Sequence, residues 1–320
     1  MAPEKLNNPG LPLDLAMFMD RQVNRSAVER RVATLPKRRS VKKEWQAAWL
    51  LKAITLMDLT TLSGDDTPGR VRRLAAKAKQ PLRQDLVEGL GMNGKDLTVA
   101  AVCVYPNRVR DAVEALHSAG IPVAAVATGF PSGQVPLEPQ LVDTERLIEM
   151  GAREIDMVIS RDYVHTGNWQ ALYDEVRAFR EACGAAAHLK TIIETGELGT
   201  LTNVYRASMV SMQAGADFVK TSTGKAKVNA TPAFGLVMMR AIRDYYRLTG
   251  YRVGFKGAGG ISSAKAAIDW LILAKEELGD EWLTPALFRF GASSLLGDIE
   301  RQLWHHVYGR YAAAHYMPLA

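Results

Sequence analysis

The sequence predicts an α/β fold: a (β/α)8 TIM barrel with an N-terminal helical extension. Three observations predict it. Eight short runs are apolar and rich in β-branched residues, and their hydrophobicity is continuous rather than alternating, as in parallel strands buried on both faces. From the second run onward they begin at 98, 121, 154, 188, 218, 252 and 287, so most steps are the 30–35 residues of one strand and one helix. Segments with apolar residues at helical spacing separate many of them. A doubly wound open sheet is the alternative, because periodicity does not show closure.

Residues 1–49 precede the first run as the extension, and residues 50–320 hold the barrel with its C-terminal helix and tail. The first twenty residues contain "NNPGLPL" and read as irregular or mobile. "VKKEWQAAWLLKAI" (41–54) reads as an amphipathic helix packed on the barrel. The strand runs are "ITLMDLT" (54–60), "TVAAVCVYP" (98–106), "IPVAAVATG" (121–129), "EIDMVIS" (154–160), "HLKTIIET" (188–195), "FVKTST" (218–223), "RVGFKGAGG" (252–260) and "LFRFGASS" (287–294). Helices are predicted over 108–120, 168–184, 203–216, 231–250, 263–279 and 293–309. The first ends on a glycine, and the fourth opens with Thr231 as a cap and Pro232 in its first turn.

The chain has 320 residues, 48% of them hydrophobic, and a net charge of +6, enough for a sizeable core and for anionic substrates. Its longest basic run, "KRR" at 37–39, reads as a solvated face, so nucleic acid is not an expected partner. Two cysteines, Cys103 and Cys183, build no disulfide framework and no zinc spacing. The N-terminus lacks a signal-peptide pattern, and no window approaches 18 uninterrupted apolar residues. A cytoplasmic protein with no membrane partner is expected.

In such a barrel the chemistry sits at the C-terminal ends of the strands. Polar groups there are Asp58 and Thr60 on strand one, Cys103 on two, Asp156 on four, Lys190 on five, Lys220 on six, Lys256 on seven, and Ser293 and Ser294 on eight. Lys190, near the start of its strand, reads as structural, and Cys103 as a small buried hydrophobe. Lys220, Lys256 and Asp156 lie inside apolar runs, and burying them costs too much unless they satisfy one another. Two close lysines suggest a specific chemistry. An adjacent ammonium and partial burial both lower a lysine's pKa, leaving a neutral amine able to attack a carbonyl and form a Schiff base. An aspartate within reach can carry the protons. No metal or cofactor is implied.

Three glycine- and hydroxyl-rich stretches follow the last strands: "TGK" (223–225), "GAGG" (257–260) and "GASS" (291–294). They suggest a phosphate site, because glycines and helix N-termini let backbone amides reach an anion. "STGK" lacks the P-loop spacing, and "GAGGIS" lacks the dinucleotide-binding one.

The motifs "LMDLTTL", "AVCVYP", "EIDMVI", "IIETGELGT", "DFVKTSTGK", "GFKGAGG" and "FRFGASSLL" resemble those of the deoxyribose-phosphate aldolases, class I Schiff-base enzymes. The resemblance runs from about residue 40 to about 312 and favours the longer, animal-type branch. It implies reversible cleavage of 2-deoxy-D-ribose 5-phosphate to D-glyceraldehyde 3-phosphate and acetaldehyde, without a cofactor. It implies Lys220 as the nucleophile, Lys256 as the neighbour that depresses its pKa and Asp156 as acid/base partner. Thr223, Gly224, Lys225, Gly259, Gly260, Ser293 and Ser294 fall on phosphate- and substrate-binding positions. Asp58 and Thr60 match a substrate-side motif, and Cys103 a pocket cysteine. The choice of Lys220 over Lys256 rests on the resemblance alone.

The chain departs from the family's "KPAGG", hydrophobic residue, arginine pattern. Gly257 stands for the proline and Ser262 for the arginine, which removes a ring and a charge beside the phosphate. Tyr316 lies in the tail, where short members carry a tyrosine that assists proton transfer. Two other readings compete: a different Schiff-base phosphosugar lyase on this barrel, and a barrel that has lost catalysis and serves as a basic binding or scaffold protein. Retention of both lysines and Asp156 argues against the second. A homodimer is the assembly left open.

Overall fold

The computed structural model describes residues 8–92 and 97–317. After helix α1 (Arg25–Thr34) and helix α2 (Lys43–Thr55), strands and helices follow in turn: β1 (Met57–Thr60), α3 (Pro68–Lys79), α4 (Gln84–Gly89), β2 (Ala101–Val104), α5 (Val109–Leu116), β3 (Val123–Val126), α6 (Leu137–Glu149) and β4 (Glu154–Val158). The second half comprises α7 (Arg161–Thr166), α8 (Trp169–Cys183), β5 (His188–Ile192), α9 (Leu201–Gln213), β6 (Phe218–Lys220), α10 (Pro232–Thr249), β7 (Gly254–Ala258), α11 (Ala264–Leu278), β8 (Phe288–Ala292) and α12 (Leu295–Tyr308).

All eight strands pair in parallel in sequence order, and β8 pairs back onto β1, with Asp58 opposite Gly291. Closure rules out the open sheet. The predicted runs are strands at their centres, but the strands are shorter. Ile54 and Thr55, read as strand, finish α2, which enters β1 through Leu56 alone. Four barrel helices fall where no helix was predicted: α3, α4, α6 and α7. Thr67 caps α3 by accepting the Arg70 N–H, with Pro68 next, so its start was written in the same code as that of α10.

Residues 8–14 of the extension are irregular, as expected, and residues 8–18 are pinned rather than mobile; residues 1–7 of the stretch read as irregular or mobile lie outside the described residues. Asn8 is buried; its N–H donates to Asp217 and its side-chain amide to the carbonyls of Met212 and Ala216. The Leu11 N–H donates to Gln213 O at 2.7 Å, and Phe18 packs edge-on against Trp169. Helix α1 lies on α10, and α2 packs on α11 and α12 as a packing helix. The main apolar core fills the space between the sheet and its ring of helices.

Register decides what meets inside the barrel. Lys220, Lys256 and Arg289 are aligned across β6, β7 and β8, and Asp156 lies opposite Lys190. Aligned residues on neighbouring strands share a face, so these charges converge in the barrel interior.

Candidate active site

Seven buried charged groups fill the middle of the barrel. Asp156 binds three lysines: Oδ1 accepts from Lys190 Nζ at 3.0 Å, and Oδ2 from Lys220 Nζ and from Lys256 Nζ, each at 2.8 Å. Asp58 Oδ2 lies 2.6 Å from Lys256 Nζ, and its other oxygen accepts from Arg289. Glu154 accepts from Lys190 and, at 2.8 Å, from Arg289. None of the seven is more than 3% exposed.

Charge balance makes one of them different. Three carboxylates, Asp58, Glu154 and Asp156, face four bases, Lys190, Lys220, Lys256 and Arg289. A dry interior tolerates paired charges and penalises a surplus one. Lys190, Lys256 and Arg289 each touch two or three carboxylates, whereas Lys220 touches only Asp156, which it shares. The surplus falls on Lys220. Burial pushes its ammonium below the ordinary lysine range and the Lys256 charge adds to the push, while Asp156 opposes both without cancelling them. Burial acts on Lys256 too, yet there Asp156 and Asp58 outweigh it and hold that lysine above the ordinary range. Burial alone would raise the Asp156 carboxyl; the three lysines hold it well below its usual range.

Lys220 also lines a cavity of about 380 Å³ at the C-terminal ends of the strands. Thr60, Thr223, Gly224, Lys225, Gly259, Gly260, Ser293 and Ser294 line it as well. Ser294 sits at the start of α12 with no side-chain capping bond, so the free N–H groups of that helix end stand beside the cavity. The Thr221 and Ser222 hydroxyls both donate to the Ala258 carbonyl, and Thr221 Oγ1 accepts the Ala258 N–H at 2.9 Å, stitching the β6 end to the β7 end. Lys225 Nζ reaches across the mouth to Leu62 O at 2.8 Å.

The sequence-derived residues divide into two shells. Lys220 and Lys256 come together on Asp156. The residues from the glycine- and hydroxyl-rich stretches, except Gly257, surround the cavity together with Thr60. Asp58 lies wholly inside the charged interior and does not line the cavity. Cys103, fully buried, belongs to an apolar cluster with Ala124, Val126, Phe130, Val158 and Ile192, against which Leu62 of the cavity wall packs. Burial pushes its thiol up, the direction of an inert packing group. Ser262 is exposed on the cavity wall, and Tyr316 sits away from it, beside Trp304 and Arg83.

Lys190, read as structural, is in direct contact with Asp156, and two members of the interior were missed: Glu154 and Arg289. Their signal was present. Glu154 is two residues from Asp156, hence on the same strand face, and "FRF" sets a charge inside an apolar run as "FVK" and "GFK" do.

A closed parallel barrel with two lysines on one carboxylate oxygen, one of them lining a cavity at the strand ends, defines an enzyme of the barrel-aldolase class. The chain belongs to the DeoC/LacD family of aldolases, whose model matches residues 52–300. It is 61% identical over 316 residues to the deoxyribose-phosphate aldolase of Homo sapiens, covering 98% of this chain and 99% of that one. It is 63% identical over 313 residues to that of Mus musculus, covering 97% and 98%. Among solved structures, the tetrameric deoxyribose phosphate aldolase from Aeropyrum pernix superposes with a TM-score of 0.59 at 25% identity, over 88% of this chain and 99% of that one. A putative deoxyribose-phosphate aldolase from Toxoplasma gondii shares the fold at a TM-score of 0.70 and 21% identity, over 86% and 100%. Among the described residues no helix is long and apolar enough to cross a membrane, and no group of three or more His, Cys, Asp or Glu could hold a metal ion.

Proposed function

We propose that the protein reversibly cleaves 2-deoxy-D-ribose 5-phosphate to D-glyceraldehyde 3-phosphate and acetaldehyde through a Schiff base on Lys220. The observation that carries this reading is the position of Lys220: it is the surplus base of a charge-paired interior and also the floor of the cavity. The names and high identity of the curated relatives support the substrate.

The neutral Lys220 amine adds to the aldehyde carbon C1 of the open-chain sugar. Asp156, 2.8 Å from Lys220 Nζ, is placed to relay the proton that lets the carbinolamine lose water. The resulting iminium withdraws electrons, so the C2–C3 bond breaks as the C3 hydroxyl gives up its proton. Glyceraldehyde 3-phosphate leaves with C3 to C5. The enamine on C1 and C2 takes a proton at C2, and hydrolysis releases acetaldehyde and the free amine. Lys256 stays charged throughout, held by Asp156 and Asp58, and its positive charge adds to burial in pushing Lys220 toward the neutral amine.

Gly224, Lys225, Gly259, Gly260, Ser293 and Ser294 would receive the phosphate, with the α12 N-terminus behind it. Thr60 and Thr223 would face the hydroxyls, and the cluster around Cys103 would keep the two-carbon end dry. In this reading residues 50–320 are the catalytic barrel and residues 1–49 an extension packed on it. Borohydride reduction in the presence of acetaldehyde, followed by peptide mapping, tests it. An adduct on the peptide containing Lys220 is expected. An adduct on Lys256 would overturn the assignment, and no adduct in folded protein would favour a barrel without this chemistry. Product analysis separates the reaction from that of another phosphosugar lyase.

A further inference from the structure

Glu194 is absent from the site described above, yet its surroundings are unusual. It lies two residues past the end of β5 and adopts a left-handed backbone, φ 51° and ψ 64°, one of two positive-φ non-glycine residues among those described. L-residues resist that conformation, and it persists where the surroundings impose it. Here the backbone bonds on either side impose it. The Ile193 N–H donates to Lys220 O at 3.1 Å, and the Thr195 N–H to Thr221 O at 2.9 Å. Glu194 is therefore clamped to the strand that carries the nucleophile.

The side chain turns inward and is 1% exposed. Its Oε2 accepts the Thr223 N–H at 3.0 Å, and its Oε1 is buried with no hydrogen-bond partner. Burial pushes its carboxyl above the usual range, an unfavourable place for a charge. Thr223 passes the constraint on, because its Oγ1 accepts the Lys225 N–H at 3.1 Å. Thr223, Gly224 and Lys225 line the cavity. The same turn fits flush on the same loop: a Cβ on Gly196 would collide with the Val228 carbonyl. On the loop's other side, a Cβ on Gly259 would lie 2.6 Å from Asn229 Cβ and 2.9 Å from Gly224 Cα. The loop after β6 is thus held between two neighbours, and its one bond to a buried carboxylate is at Thr223.

We infer that Glu194 is a positioning residue that sets the Thr223–Lys225 segment to receive the phosphorylated end of the substrate. The inference rests on the function proposed above. Its mechanism is geometric: the carboxylate fixes Thr223, Thr223 fixes the Lys225 backbone, and the phosphate end of the cavity keeps its shape without a ligand.

The test compares wild type with Glu194→Ala, Glu194→Gln and Glu194→Gly, using 2-deoxyribose 5-phosphate, unphosphorylated 2-deoxyribose, and borohydride trapping with acetaldehyde alone. Glycine suits the left-handed backbone, so Glu194→Gly removes the carboxylate with least risk to folding. For Glu194→Ala and Glu194→Gly we expect KM for the phosphorylated sugar to rise about tenfold, the effect of losing one hydrogen bond to a charged acceptor. Turnover of the unphosphorylated sugar and trapping by acetaldehyde should stay near wild type. Glu194→Gln keeps an acceptor for the Thr223 N–H and should recover most of the loss. Equal losses on both sugars, or loss of trapping in folded protein, would overturn the inference by showing a general role. An unchanged KM in Glu194→Gly would also overturn it. If wild type neither traps acetaldehyde nor cleaves the phosphosugar, the proposed function fails and takes the inference with it.

Discussion

Lys220 differs from Lys190 and Lys256 in company rather than in chemistry. All three are buried lysines on Asp156, but the other two have further carboxylates and Lys220 has none. The groups acting on Lys220 directly, Asp156, Lys256 and Cys103, come from three strands, and Arg289 stands one step away on Asp58 and Glu154. Removing one remote positive charge should let Lys220 keep its own. Arg289→Met is therefore expected to raise the Lys220 pKa and move the acid limb of the kcat/KM profile upward by about one pH unit. A pH–rate series checks this, and an unmoved limb would show that Arg289 does not reach Lys220. Lys220→Met should abolish both turnover and trapping. At the cavity wall, Ser262→Arg restores a positive charge near the phosphate and should lower KM for the phosphorylated sugar by about threefold or more, as one partly exposed charge pair allows. An unchanged KM would mean that the helix end and backbone amides already suffice.

At the scale of elements, the extension is a strap as well as an appendage. Its Asn8 and Leu11 bonds close over α9 and the turn before β6. Deleting residues 1–22 would uncover the Phe18 site on Trp169 and remove the Asn8 N–H from Asp217, which would keep Arg180 and the Leu189 N–H. Melting is expected several degrees lower, consistent with losing roughly 2–3 kcal/mol of buried aromatic and hydrogen-bonding contacts, and calorimetry measures it. The strands were legible because a parallel barrel buries both of their faces, so their hydrophobicity is continuous. The charged interior was legible only in part. Lys220, Lys256 and Asp156 interrupt apolar runs visibly. Their link to Arg289, Glu154 and Lys190 depends on which strand faces which, and that is fixed only on closure. Helix α3 hid behind its arginines and lysines, which interrupt its apolar pattern, and four buried residues, Val71, Leu74, Ala75 and Ala78, hold it to the barrel.

For the whole molecule, the interior ions set a pH window of stability. Asp58 and Asp156 have folded-state values below the usual carboxylate range, burial being outweighed by the cations around them. Their contribution is fully present above an ordinary carboxylate pKa and is lost as pH falls below about 4 toward the lowered values. Lys256 is raised, so its contribution is fully present below an ordinary lysine pKa and is lost as pH climbs beyond about 10. Denaturation midpoints should therefore fall at both ends, while Lys220, its ammonium pushed down by burial, makes stability rise with pH between its folded value and an ordinary lysine pKa. A midpoint unchanged between pH 7 and pH 3 would show that these pairs add nothing to folding.

The interior charges are also sorted along the chain. Every carboxylate comes from β1 or β4, and every base from β5, β6, β7 or β8. The first four strands thus form an acidic half-shell and the last four a basic one. Either half would repel a second copy of itself and attract its complement. A chain cut in the exposed turn at 184–186 should give two fragments that reassemble with each other and not with themselves, more slowly as salt screens the attraction. The pairing that prepares one lysine for chemistry would in this way also select which half-barrel can close on which.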